Sequence, residues 1–237
     1  EAATTVEPAE DFLQNLKELA HANGALLILD EIITGFRWHI GGAQKFDGVV
    51  PDLSAFGKAM ANGFSVSALL GKREIMELGG LFHENERVFL LSTTHGAENH
   101  ALAAALETIA TYKREDVIGY LMQAGDRLAK GINRIIEELG LGDFFHLNGK
   151  PCNLIYATKD QDREPSQPFR TLFLQETIRR GLLMPSLVVS FSHTDRDIDL
   201  TVESIGEALW ICRRALDEGI EKYLVGRSVK PVFRRFN

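Results

Sequence analysis

Apolar positions along the chain change period several times, and those changes divide it into elements. Phe12, Leu13, Leu16, Leu19 and Ala20 recur at helical spacing before Asn23-Gly24, so the pattern predicts an amphipathic helix over 9–23. The continuous run Ala25-Leu26-Leu27-Ile28-Leu29, ended by Asp30-Glu31, is the pattern of a strand buried on both faces of a parallel sheet. Helix, tight turn and buried strand in that order specify an α/β fold. Weaker repeats of the pattern predict strands at 52–56, leading into Gly57-Lys58, and at 65–70, closed by Gly71. A further strand is expected at 87–91, followed by a long helix over 98–113 rich in Ala and Leu.

A second, smaller α+β unit follows. Ile118, Leu121, Leu128, Ile132, Ile135 and Ile136 predict a helix over 117–139, stopped by Gly140. Beyond it the expected elements are a strand at 153–157, a loop at 159–168, a helix over 169–180 and a strand near 187–191. A closing helix should start after Thr194-Asp195, a good N-cap with acidic residues in the first turn, and run to about Glu218. The expected domains are therefore 1–116 and 117–237, with no internal repeat or low-complexity segment.

Composition narrows the function classes. A net charge of −7 with scattered basic residues, apart from Arg234 and Arg235, leaves no electrostatic footprint for nucleic acid. Cys152 and Cys212 lie far apart, which offers neither a disulfide framework nor a metal-ligand spacing and suits a reducing compartment. None of the histidines forms an H-x-x-x-H or H-E-x-x-H pair. No apolar run reaches the roughly 18 residues of a membrane span, and Glu1-Ala2-Ala3-Thr4-Thr5-Val6-Glu7-Pro8 lacks the basic and apolar regions of a signal peptide. The expectation is a soluble cytoplasmic protein without nucleic-acid, membrane or metal partners.

Two residues stand out for chemistry. Asp30 ends a predicted buried strand, where open α/β sheets place their ligands. It can equally be a turn former or cap. Four apolar residues before Asp-Glu also match the magnesium-binding strand of nucleotide hydrolases, but the accompanying phosphate loop, G-x-x-x-x-G-K-S/T, does not occur in the chain. Lys58 follows the apolar Ser54-Ala55-Phe56-Gly57 and has no charged neighbour within five residues on either side, which favours a desolvated amine of lowered pKa. Its plain alternative is a solvated charge, as expected of Lys72 in the surface run Gly71-Lys72-Arg73-Glu74. If both strands belong to one sheet, Asp30 and Lys58 end on the same edge. A pyridoxal-phosphate (PLP) enzyme needs that pair: an amine to form a Schiff base and a carboxylate to keep the pyridine nitrogen protonated.

The segments around these residues resemble class III aminotransferases, most closely those of the glutamate-1-semialdehyde 2,1-aminomutase type. The resemblance is carried by Leu27-Ile28-Leu29-Asp30-Glu31-Ile32-Ile33-Thr34-Gly35-Phe36-Arg37, Gly41-Gly42-Ala43-Gln44, Pro51-Asp52-Leu53-Ser54-Ala55-Phe56-Gly57-Lys58 and Gly71-Lys72-Arg73-Glu74-Ile75-Met76. It returns at Ser192-His193-Thr194-Asp195. It implies an aspartate-aminotransferase-like fold (fold type I), with 1–116 as the carboxy-terminal part of the large PLP-binding domain and 117–237 as the small domain. By resemblance, Lys58 would carry PLP as a Schiff base and shuttle a proton, Asp30 would pair with the pyridine nitrogen, and Ile32 would pack on the ring. Thr93 would bind the cofactor phosphate of a neighbouring subunit, so a homodimer with shared sites is implied, acting on a small-molecule amino donor and a carbonyl acceptor. Thr34, Arg37 and Gln44 would shape the site or hold the loop after the strand, and His95 lies beside Thr93.

The chain departs from the family pattern in three places. The pattern's amino-terminal half, with its phosphate-cradling turn and ring-stacking aromatic residue, has no counterpart after Glu1. The family's Gly-Thr-x-x-Gly-Asn-Pro becomes Ser92-Thr93-Thr94-His95-Gly96-Ala97-Glu98. Pro185-Ser186 runs straight through Leu187-Val188-Val189-Ser190-Phe191 to His193, without the glutamate that the aminomutases carry there. The last departure favours two-substrate transamination over the intramolecular aminomutase reaction, with a magnesium or nucleotide role for Asp30-Glu31 as a distant alternative.

Overall fold

The computed structural model describes residues 9–88, 94 and 96–230. The chain divides into two compact units, Glu1–Gly119 and Tyr120–Asn237. In the first, the elements are α1 (Phe12–Ala22), β1 (Ile28–Asp30), α2 (Ala43–Phe46), β2 (Leu53–Phe56), β3 (Ala68–Gly71), α3 (Arg73–Met76) and α4 (Asn99–Arg114). The sheet order is β1-β2-β3, with β1 parallel and β3 antiparallel to β2. α1 stops as its Asn-Gly predicts: the Asn23 side-chain amide donates to Leu19 O at 2.8 Å, and Gly24 takes φ +69°, a left-handed turn that favours glycine.

The expectation that β1 is buried on both faces fails. Leu27 is buried, but Leu26 and Ile28 are 51% and 58% exposed. The reason is position: β1 is the edge of its sheet, and its apolar side chains have no second layer over them among the described residues. α1 is amphipathic yet buries no residue, leaving Phe12, Leu16 and Leu19 exposed. The predicted strand at 65–70 forms later, at β3, and Val66 ahead of it packs against the cluster of Phe36, Phe56, Met60, Ala61 and Ala105. Of the strand expected at 87–91, Arg87 and Val88 are not in a strand, and 89–91 lie outside the described residues.

Asp52, just before β2, ties this unit together. Its buried carboxylate accepts from Lys72 Nζ at 2.7 Å, from His21 Nε2 at 2.8 Å and from the Leu27 amide at 2.7 Å. It so links α1, the entry to β1 and the exit of β3. Lys72 is thus a partner of a buried acid and not the merely solvated charge its surface run suggests, because the β2–β3 register brings the Gly71 turn back beside Asp52. The Lys72 ammonium, then the His21 and Leu27 donors, hold the Asp52 carboxyl well below the usual carboxylate range despite its burial. A depressed folded-state pKa stabilises the fold above the unfolded value of about 3.9, and that contribution is lost as pH falls toward the folded value. Asp52→Asn is expected to destabilise the protein by about 2–3 kcal/mol at pH ~7. Urea melts should also show a shallower loss of stability below pH ~5 in the variant than in the wild type.

In the second unit, which takes up most of α5 (Val117–Glu138), β4 (Phe145–Asn148) pairs antiparallel with β5 (Ile155–Thr158), and α6 (Gln167–Arg179) and α7 (Asp195–Glu218) pack around a core that includes Ile132, Leu172, Phe173, Ile205 and Leu209. Thr194 caps α7 as its sequence predicts, in a reciprocal pair with Asp197: the Thr194 amide donates to Asp197 Oδ2 at 2.7 Å and the Asp197 amide to Thr194 Oγ1 at 3.3 Å. β4 was not expected. The strand expected at 187–191 is reduced to one bridge, Leu154 with Leu187. Within that stretch the Ser190 amide donates to His193 Nδ1 at 3.2 Å, and just ahead of it Arg170 donates to Pro185 O at 2.8 Å. No helix among the described residues is long and apolar enough to cross a membrane.

Candidate active site

Parallel pairing of β1 and β2 brings their carboxyl ends to one edge of the sheet. Asp30 is the last residue of β1 and stands opposite Ala55, and the chain continues through Phe56 and Gly57 to Lys58, which opens the short 3-10 turn Lys58–Met60. Asp30 is exposed; its Oδ1 accepts from the Ile32 amide at 3.0 Å, and it has no other hydrogen-bond or ion-pair partner among the described residues.

Lys58 has φ +44°, a left-handed conformation costly to a residue with a side chain. It is held there by its own carbonyl, which accepts from the Asn62 and Ala61 amides at 3.0 and 3.3 Å, and by the buried Met60 and Ala61 beneath the turn. Strained backbone of this kind persists where the surrounding structure over-determines it, commonly at functional sites. The side chain is exposed and its ammonium has no partner among the described residues. The desolvation expected for it is therefore absent, since its side chain is exposed at the carboxyl edge of the sheet.

Ile32 joins the same edge. Its Cδ1 lies 3.0 Å from where a side chain on Gly57 would begin, so glycine at 57 lets the isoleucine close against the strand end. Asp30, Ile32 and Lys58 are thus brought together. Thr93 and His95 lie outside the described residues.

A residue that the sequence offered only as an alternative magnesium ligand proves central to the loop. Glu31 is buried, and its carboxylate accepts from Thr34 Oγ1 and from the Ala43 and Gln44 amides, the latter two at 2.8 Å. Gln44 Nε2 in turn donates to Ser54 Oγ on β2 at 3.1 Å. Both Glu31 oxygens accept hydrogen bonds from the loop that follows. Among the described residues no group of three or more His, Cys, Asp or Glu is placed to hold a metal ion. The available signal for this role was the Gly41-Gly42-Ala43-Gln44 run: Gly42 takes φ +80°, and a side chain there would begin 2.4 Å from the Glu31 carboxyl carbon.

The family model for class-III aminotransferases matches residues 2–147. The chain belongs to the class III aminotransferases. It is 35% identical over 205 residues to 3-aminobutyryl-CoA aminotransferase of Cloacimonas acidaminovorans (85% of this chain, 48% of the relative). It is 34% identical over 214 residues to glutamate-1-semialdehyde 2,1-aminomutase of Thermomicrobium roseum (86% and 49%). Among solved structures, the PLP internal aldimine form of the FumI protein of Sphingopyxis sp. MTA144 superposes with TM-score 0.78 at 23% identity, over 90% of this chain and 49% of that one. The class III aminotransferase chain therefore has the fold of the fold-type-I PLP-dependent transferases, and it spans about half the length of the curated relatives it matches. Class III aminotransferases use PLP, and the groups on this sheet edge fit it chemically: Lys58 offers an unpaired amine to an aldehyde, and Asp30 a carboxylate with an unengaged oxygen to a ring nitrogen.

Proposed function

We propose that this chain forms part of a PLP enzyme that transfers an amino group between an amino donor and a keto or aldehyde acceptor, with Lys58 as the residue that carries the cofactor. The observation that supports this most strongly is the parallel β1–β2 pairing, which delivers Asp30 and a strained, unpaired Lys58 to one sheet edge. PLP, when bound, supplies an electron sink for the substrate α-carbon. Lys58 holds the cofactor by its amine and then moves the proton at the substrate α-carbon. Asp30 keeps a proton on the pyridine nitrogen, and Ile32 offers an apolar surface to the ring. Borohydride reduction of the PLP-loaded protein, followed by peptide mapping, should place the label on Lys58; label on another lysine overturns the assignment.

Transamination between two substrates is preferred to aminomutase chemistry because Pro185-Ser186 reaches His193 without an intervening glutamate. Similarity to an aminotransferase and to an aminomutase at 35% and 34% identity accommodates both. Isomerisation of glutamate-1-semialdehyde with no acceptor present would select the second reading. Cys152 and Cys212 are buried thiols not joined in a disulfide, which suits a cytoplasmic location.

The same reading includes a homodimer in which Thr93 of one subunit contacts the phosphate held by the other. Lys58→Ala and Thr93→Ala chains, each inactive alone, should recover about a quarter of normal activity when mixed with random pairing, because one site of the heterodimer then carries neither lesion. No recovery under demonstrated subunit exchange rules the shared site out.

A further inference from the structure

Glu31 lies between the two residues assigned to the cofactor ring, yet its own side chain turns inward. Its amide donates to Ala55 O at 2.9 Å, extending the β1–β2 pairing, and its carbonyl accepts from the Gly35 amide at 2.9 Å. Its carboxylate gathers three donors from two places further along the chain, the Thr34 hydroxyl and the Ala43 and Gln44 amides. Gln44 then fastens the far end of the loop to Ser54 of β2. Left-handed Gly42 leaves the space that the carboxylate occupies. A single buried side chain therefore closes the segment 31–44 into a ring anchored on both strands of the candidate site.

We propose that Glu31 is a positioning residue: by closing this loop it sets the direction in which Asp30 and Ile32 meet PLP. This rests on the reading of the site given under Proposed function. The physical reason is that Asp30 accepts its one hydrogen bond from Ile32, the second residue of the loop, so a change in the loop's path moves both groups together. Without the carboxylate, the half-buried Ala43 and Gln44 amides lose their acceptor, and the loop loosens as water replaces it.

The experiment compares Glu31→Gln with wild type and Asp30→Asn. Glutamine keeps the shape of the side chain but presents a donor where an acceptor is needed. Hydrogen exchange at the Ala43 and Gln44 amides of the variant is expected to quicken about tenfold or more. Its affinity for PLP should fall about tenfold. The absorbance spectrum of bound PLP, and the pH dependence of that spectrum, should move toward those of Asp30→Asn, while borohydride still labels Lys58. A variant that loses only thermal stability, with affinity and spectrum of bound PLP unchanged, overturns the positioning role alone. Absence of label on Lys58 in the wild type overturns the reading of the site, and the role of Glu31 with it. Should Glu31→Gln not fold, Thr34→Val removes one donor to the same carboxylate and should shift the spectrum in the same direction by less; an unshifted spectrum beside quickened exchange counts against the proposal.

Discussion

Lys58→Ala is expected to lower turnover by about 10⁴-fold or more, because under the proposed function one amine would serve as both covalent anchor and proton carrier. The loss should come without unfolding. The ammonium has no partner among the described residues and the side chain is exposed, so truncation removes no buried contact. What holds the turn is the backbone: the Lys58 carbonyl and the Ala61 and Asn62 amides, with Met60 and Ala61 in the core below. A companion variant separates chemistry from strain. Because φ is +44°, Lys58→Gly should be as inactive as Lys58→Ala but more stable than it, by about 1 kcal/mol, since glycine adopts the left-handed region freely. Steady-state rates and urea melts of the two variants check both halves. Turnover within tenfold of wild type in Lys58→Ala would remove Lys58 from the chemistry.

Asp30→Asn should lower turnover by about 10²–10³-fold, the scale seen when one oriented charge-stabilising group is removed from an active site. Local structure should survive, because an asparagine oxygen can still accept from the Ile32 amide at the 3.0 Å distance that Asp30 uses. The substitution therefore isolates the charge. Bound PLP is expected to remain on Lys58 and to show altered absorbance, since the carboxylate that favours a protonated pyridine nitrogen is gone. Activity within a few-fold of wild type would make Asp30 a loop-forming residue and nothing more.

Much of the local structure was readable before any coordinates. The Asn-Gly stop of α1, the Thr194 cap of α7 and the long helix ending at Arg114 depend on short-range rules of capping and periodicity, which operate within a few residues. β4 escaped because four residues, Phe145 to Asn148, carry too little period to separate a strand from a turn. The strand expected at 187–191 is reduced to the single Leu154–Leu187 bridge, because whether an apolar run finds a partner strand is set by residues remote in sequence.

The candidate site divides in the same way. The sequence alone determined the family, through ordered motifs around Asp30 and Lys58, and singled out those two side chains as candidates, because an acid and an isolated amine at strand ends are visible as residue types. Only the tertiary structure decided that these strands are parallel neighbours sharing an edge, that Lys58 is held left-handed and uncovered, and that Lys72 serves buried Asp52. It also decided which acid of the Asp30-Glu31 pair faces outward. Successive residues leaving a strand point in opposite directions, and what lies on each side is set by residues remote in sequence: here Thr34, Ala43 and Gln44 claim Glu31, while the exposed Asp30 carboxylate accepts only from the Ile32 amide among the described residues.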